Sequence, residues 1–147
     1  DYYARENNDE KELLKLLYAS LRALENPHLP KKLVRYVFEL KAMVINGEYP
    51  EVFCCTVCGS TEHLTGYSHA GNGVVCADCM REARAEKLLE STIFTMQYVV
   101  ATPVEKLYTF TVSDGVLDEF SRIQERFRKT YVDRKFKTLE ILESLQI

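Results

Sequence analysis

Apolar residues recur at helical spacing along most of this chain and lose their periodicity in one central stretch. Over about residues 9–25, Leu13, Leu17, Leu21 and Leu24 mark a helical stripe that Leu14, Leu16 and Tyr18 widen. Asp9 and Glu10 stand where acidic side chains favour a helix N-terminus. Asn26-Pro27 closes the segment, because the residue before proline is pushed out of the α region. A second helix is expected after Pro30, over about 31–46. Its Val34, Val37, Phe38, Leu40, Val44 and Ile45 spread around most of the circumference, which reads as a largely buried core helix. Gly47 fits the left-handed position that ends such helices.

From residue 48 to about 79 the pattern changes. Gly59, Gly66, Gly71 and Gly73 punctuate short segments, which predicts two tight turns and a small hairpin. Helical character is expected again over 77–90, where alanine and charged residues dominate, and over 92–101, with Ser91 as its N-cap. Residues 108–112 alternate aromatic and β-branched side chains, as a short extended segment does. Ser113 then caps a long helix over about 114–131, with Leu117, Phe120, Gln124, Phe127 and Tyr131 on one face and only Gln124 polar. Phe136, Leu139, Leu142 and Leu145 carry the stripe to the end. The expected fold is mainly α: a helical domain (1–47 and 83–147) with a small four-cysteine module and its short β-hairpin inserted at 48–82.

Composition narrows this reading. With 147 residues, 46% apolar, 28% charged and a net charge of −3, the chain can bury one sizeable core and is not disordered. The mild acidity excludes a domain held to nucleic acid by bulk charge, though not a local basic patch. The chain opens Asp1-Tyr2-Tyr3 without Met, so its natural start is expected upstream.

The strongest motif is Cys55-Thr56-Val57-Cys58, seventeen residues, then Cys76-Ala77-Asp78-Cys79. Zn²⁺ takes four tetrahedral ligands, and two residues between cysteines let one turn present both thiolates to one ion. Gly59 follows the first pair, where a positive φ lets backbone N–H groups point at sulfur. One structural Zn²⁺ held by Cys55, Cys58, Cys76 and Cys79 is therefore expected. A thioredoxin-type dithiol would need one such pair at a strand-to-helix junction, and catalytic zinc would need an open ligand position. Cys54 reads as a partly buried free thiol, His63 and His69 as hairpin surface residues, and His28 as a loop residue.

Charge gathers near the C-terminus. Between Arg122 and Lys137, seven basic residues face two acidic ones, a local charge of +5. Arg122, Arg126 and Lys129 fall on one helical face, and Arg134 and Lys135 extend the cluster. Two readings stand: a solvated face, or a surface that contacts a phosphate backbone or an acidic peptide. Lys31, Lys32 and Arg35 form a weaker cluster with the same two readings. No glycine loop for phosphates, Gly-x-Ser-x-Gly or His-Glu-x-x-His occurs, so the sequence does not support an enzyme.

Several of these segments together resemble a known family. Val37-Phe38-Glu39-Leu40-Lys41, Gly47-Glu48-Tyr49-Pro50, Cys55-x-x-Cys58-Gly59, the Gly71/Gly73 hairpin and Cys76-x-x-Cys79 look like the C-terminal part of bacterial RecO. The ending Tyr131…Arg134-Lys135-Phe136-Lys137-Thr138-Leu139 is similar to the family's closing Lys-Ser-Leu pattern, with Thr138 for serine. The resemblance implies a helical domain with a zinc module, preceded in the family by an OB-fold that this chain lacks. It implies a cytoplasmic DNA repair and recombination mediator without chemical turnover. Such a protein binds and anneals single- and double-stranded DNA, mainly through that OB-fold, and loads RecA with RecR on strands coated by SSB, whose C-terminal tail is a further partner. The alternative is a zinc-stabilised protein–protein interaction module without direct DNA contact. A dithiol oxidoreductase is the third class.

Overall fold

The computed structural model describes the backbone of residues 2–145 and the side chains of residues 8–131. These residues form four α-helices, α1 (Tyr2–Leu24), α2 (Lys31–Ile45), α3 (Glu90–Ala101) and α4 (Asp114–Leu145), around a three-stranded sheet. The strands are β1 (Leu64–Ser68), β2 (Gly73–Cys76) and β3 (Glu86–Lys87), in the antiparallel order β2-β1-β3. Residue 51 bridges Gly73 in parallel, so the chain entering the module runs along the outer edge of β2. Among the described residues no helix is long and apolar enough to cross a membrane.

One core joins the helices to the module. Leu33, Val37 and Leu40 of α2, Ile93, Met96 and Val99 of α3, and Phe120 and Ile123 of α4 pack with Val52, Tyr67, Val74 and Leu88. Strand alternation divides β2 between two clusters: Val74 enters this core, while Val75 packs with Cys55, Cys76 and Cys79. Gln97 of α3 donates to the Val52 carbonyl at 2.8 Å, a polar tie across the same boundary.

Several ends follow the expected chemistry. The Gly47 N–H bonds to Val44 O and the Glu48 N–H to Met43 O, both at 3.0 Å, with Gly47 at φ +82°. That is a Schellman closure of α2. Ser113 Oγ accepts the Val116 N–H at 3.3 Å and caps α4. Gln124, the one polar residue on the α4 stripe, is buried with its amide against Met43 Sδ.

Other expectations are overturned. Residues 77–90 do not form a helix: a 3-10 turn at Ala77–Cys79 leads through further turns to β3. Arg84 adopts φ +51°, and β3 pairs with β1, so sheet pairing overrides the local helix preference. Ser91 does not cap α3, which begins at Glu90. Its start is instead tied to α4, where Glu119 Oε1 accepts the Leu89 N–H at 3.0 Å and the Thr92 hydroxyl at 2.6 Å. Residues 108–112 pair with no strand among the described residues. Helix α1 starts well before Asp9, and its inner face is not the leucine stripe. Leu16, Ser20 and Ala23 are buried, whereas Leu14, Leu17, Tyr18, Leu21 and Leu24 are 41–67% exposed. Small side chains let α1 approach closely, and Ser20 hydrogen-bonds the Tyr108 hydroxyl. Phe136, Leu139, Leu142 and Leu145 lie outside the described side chains.

Two contacts fix the module's outer strand. A Cβ on Gly66 would meet Met80 Sδ at 2.3 Å and the Glu86 carbonyl at 2.4 Å. Glu86 itself receives His69 Nε2 at 2.9 Å and the Arg122 guanidinium, one on each carboxylate oxygen. Burial opposes ionisation of Glu86, but the bonds from His69 and Arg122 outweigh it and hold the carboxyl below its ordinary 4.5.

Two predictions result. Gly66→Ala should destabilise the chain by about 2 kcal/mol or more, read by denaturant unfolding, because backbone must move. An unchanged midpoint would mean that β3 is not held against β1. Glu86→Gln should cost about 1–2 kcal/mol at neutral pH. A carboxyl with a lowered folded pKa stabilises above its unfolded value and loses that contribution as pH falls through the folded one. The wild-type chain should therefore lose its advantage over Glu86→Gln below about pH 4.5, and melting curves across pH 3–7 check this.

Candidate metal centre

The module's two turns bring Cys55, Cys58, Cys76 and Cys79 together, with all four Sγ atoms within 4.8 Å of one another. Cys58 Sγ lies 3.7 Å from Cys76 Sγ. Sulfurs bound tetrahedrally at about 2.3 Å from one ion stand about 3.8 Å apart. The donor set therefore fits one closed tetrahedral metal site. Cys55, Cys76 and Cys79 are buried and Cys58 is exposed.

The first turn is built by local hydrogen bonds. Gly59, at φ +80°, donates its N–H to the Cys55 carbonyl at 2.9 Å, and Cys55 N–H donates to Ser60 O at 2.7 Å. Several amides point at sulfur; that of Val57 stands 3.4 Å from Cys55 Sγ. The second pair is held differently: Cys76 ends β2, and Cys79 ends the 3-10 turn that follows. Cys54 is half-buried beside the group and outside it. A hydrogen bond to Glu51 pushes its thiol up.

The electrostatics favour a cation here. Burial opposes ionisation of Cys55, yet amide donors from Cys58, Cys76 and Val57 bring its thiol down to about 6. Cys79 is pushed strongly up by Cys76, by burial, and by Cys55 and Cys58. One sulfur ionises readily and the next resists a like charge beside it. A divalent ion removes that repulsion and lets all four coordinate as thiolates.

The basic residues meet different fates. Arg122, Arg126 and Lys129 are all exposed on α4. Arg122 is committed to Glu86, whereas Arg126 and Lys129 hold no ion pair among the described residues. Arg134 and Lys135 lie on the α4 backbone, with side chains outside the described residues. In the weaker cluster, Lys32 pairs with Asp118 at 3.6 Å and Arg35 with Glu39 at 3.7 Å.

His28 and His63 are exposed, as expected. His69 is not a surface residue: it is half-buried, edge-on to Tyr67 with ring centroids 5.0 Å apart, and bonded to Glu86. The Tyr67–His69–Glu86–Arg122 group was invisible to spacing, because its members come from β1, the hairpin turn, β3 and α4.

The comparisons with known proteins agree with this architecture. The family model "Recombination protein O C terminal" matches residues 1–140. The chain is 31% identical over 143 residues to a DNA repair protein RecO of Acetivibrio thermocellus, covering 95% of this chain and 57% of that protein. It is 27% identical over 142 residues to the RecO of a Thermoanaerobacter species, covering 96% and 57%. With the RecO of Desulforamulus reducens it shares 26% over 148 residues, covering 99% and 57%. The chain thus spans little more than half the length of these curated relatives. No solved structure matches it. A family match over nearly the whole chain, on a helical fold with a four-cysteine centre, places this chain in the RecO family of DNA repair and recombination proteins.

Proposed function

We propose that this chain is the zinc-stapled C-terminal part of a RecO-type recombination mediator. In this reading Cys55, Cys58, Cys76 and Cys79 hold one structural Zn²⁺, and the protein works in the cytoplasm by binding rather than by chemical turnover. The observation that carries it is the convergence of four sulfurs on one point in a chain of the RecO family. Zinc is the ion of choice because four thiolates in a closed tetrahedral set suit a soft, redox-inert cation.

The mediator role includes binding and annealing single- and double-stranded DNA and loading RecA with RecR onto SSB-coated strands. Arg126 and Lys129, without an ion pair among the described residues of α4, supply charge for a phosphate backbone, and Arg134 and Lys135 lie further along that helix. The exposed leucines of α1, flanked by Lys11, Lys15 and Arg22, suit an acidic and apolar segment such as the SSB tail, or a surface of RecR. The second reading is a zinc-stabilised interaction module that never touches DNA. It is favoured by that same apolar face, since exposed leucines bind protein rather than phosphate.

Because core residues cross between the module and the helices, segments 1–47, 48–82 and 83–147 should lose structure together. Cys58→Ser should abolish stoichiometric zinc and lower the melting temperature of the whole chain by about 10 °C or more. Full zinc content by metal analysis together with unchanged melting would exclude Cys58 as a ligand. Charge reversal at Arg126 and Lys129 should weaken oligonucleotide binding at least about tenfold and flatten its salt dependence, with binding of an SSB-tail peptide retained. Unchanged oligonucleotide affinity would leave the interaction-module reading.

A further inference from the structure

A polar cavity lies where the hairpin turn meets α4. Its volume is about 170 Å³, and Tyr67, His69, Asn72, Arg126, Phe127 and Thr130 line it. The metal centre does not include it, as none of these residues is a cysteine.

Its polar groups carry one kind of unmet demand. Tyr67 is 1% exposed, and its hydroxyl, shut off from solvent, has no hydrogen-bond partner among the described residues. A buried hydroxyl left unpaired is rare, because it has lost water and gained nothing. Arg126 holds no ion pair among the described residues, and its charge acts on the Tyr67 hydroxyl. The nearby carboxylate, Glu86, is already shared between His69 and Arg122. Thr130 is positioned by its own bond to the Arg126 carbonyl at 3.1 Å. Beside the cavity lie an unpartnered, buried hydroxyl and an exposed guanidinium that has no carboxylate partner among the described residues. The lining lacks an acceptor that is negatively charged. Arg126 is exposed, so it can reorient over an entering group without giving up a bond.

We propose that this cavity is a phosphate site, in which an oxyanion accepts the Tyr67 hydroxyl and the Arg126 guanidinium between the hairpin and α4. Phosphate fits better than a simple cation or an apolar group, because guanidinium forks match tetrahedral oxyanions and the adjoining face of α4 carries Lys129. The group can arrive as free phosphate or as one phosphate of a single strand. In the second case the site rests on the DNA-binding reading above and specifies where one phosphate sits.

The test uses the metal-loaded chain and two variants, Tyr67→Phe and Arg126→Gln. Two probes separate the sources: inorganic phosphate, read by melting against chloride at equal ionic strength, and an oligothymidylate strand, read by fluorescence anisotropy. Tyr67→Phe removes only the unpartnered hydroxyl, so its melting without phosphate should equal or exceed that of wild type. Inorganic phosphate should raise wild-type melting and leave both variants unmoved. Strand affinity should fall about tenfold in Tyr67→Phe. The salt slope of strand binding should fall by about 0.7 in Arg126→Gln. A phosphate response lost in both variants, without strand binding, would keep the site for free phosphate and remove the DNA-binding reading. Strand binding that is equal in all three proteins, with no phosphate response, would overturn the site and leave DNA binding standing. Silence with both probes would overturn both. Should Tyr67→Phe fail to fold, Arg126→Gln, altered on an exposed side chain, decides alone.

Discussion

Sulfurs that must share one small volume repel as soon as more than one of them ionises, and residues 48–88 are arranged around that constraint. A cation would resolve it, and the turn at Cys55–Gly59 and the turn at Ala77–Cys79 also meet in a small buried cluster around Val75. β2 transmits the consequence inward. With Cys76 fixed at its end, alternation sends Val75 to the cysteines and Val74 into the helical core. The four-cysteine cluster thereby sits at the end of a strand whose register helps to close the core.

The module is tied to the helices at two further points, both polar. Gln97 holds α3 to Val52, and Glu86 draws Arg122 of α4 and His69 of the hairpin to one carboxylate. This second tie decides which basic residues remain available. A stretch of charge that looks uniform along the chain is divided by folding: exposed Arg122 is tied to Glu86, and Arg126 holds no ion pair among the described residues beside a cavity with an unpartnered hydroxyl. The same logic governs Lys41, a cation within the core helix whose ammonium is buried. It donates to the Val99 and Val100 carbonyls at 3.2 and 3.1 Å, at the negative end of α3.

What was legible in the sequence was whatever local chemistry decides. The cysteine pairs, the glycine closing α2, the Ser113 cap and the helical extent of α2 and α3 each follow from residues a few positions apart, whereas α4 runs on past residue 131 to Leu145. What was not legible required distant partners. The α1 stripe misled because leucines surround that helix, and Ser20 and Ala23 prevail by allowing closer approach. The helix expected at 77–90 failed because Met80 packs under Gly66 and residues 86–87 pair with β1, which its alanine-rich composition cannot reveal.

The sequence by itself therefore determined the four-cysteine cluster, the helical class and membership in a family, since each is written in spacing or in residue order. Only the tertiary structure decided which face of α1 lies inward and that Glu119 serves the start of α3. It alone joined Tyr67, His69, Glu86, Arg122 and Arg126 into one junction. The physical reason is range. Caps, turns and thiolate pairs are settled within one turn of backbone, whereas burial and ion pairing are settled by whichever distant element comes to lie alongside.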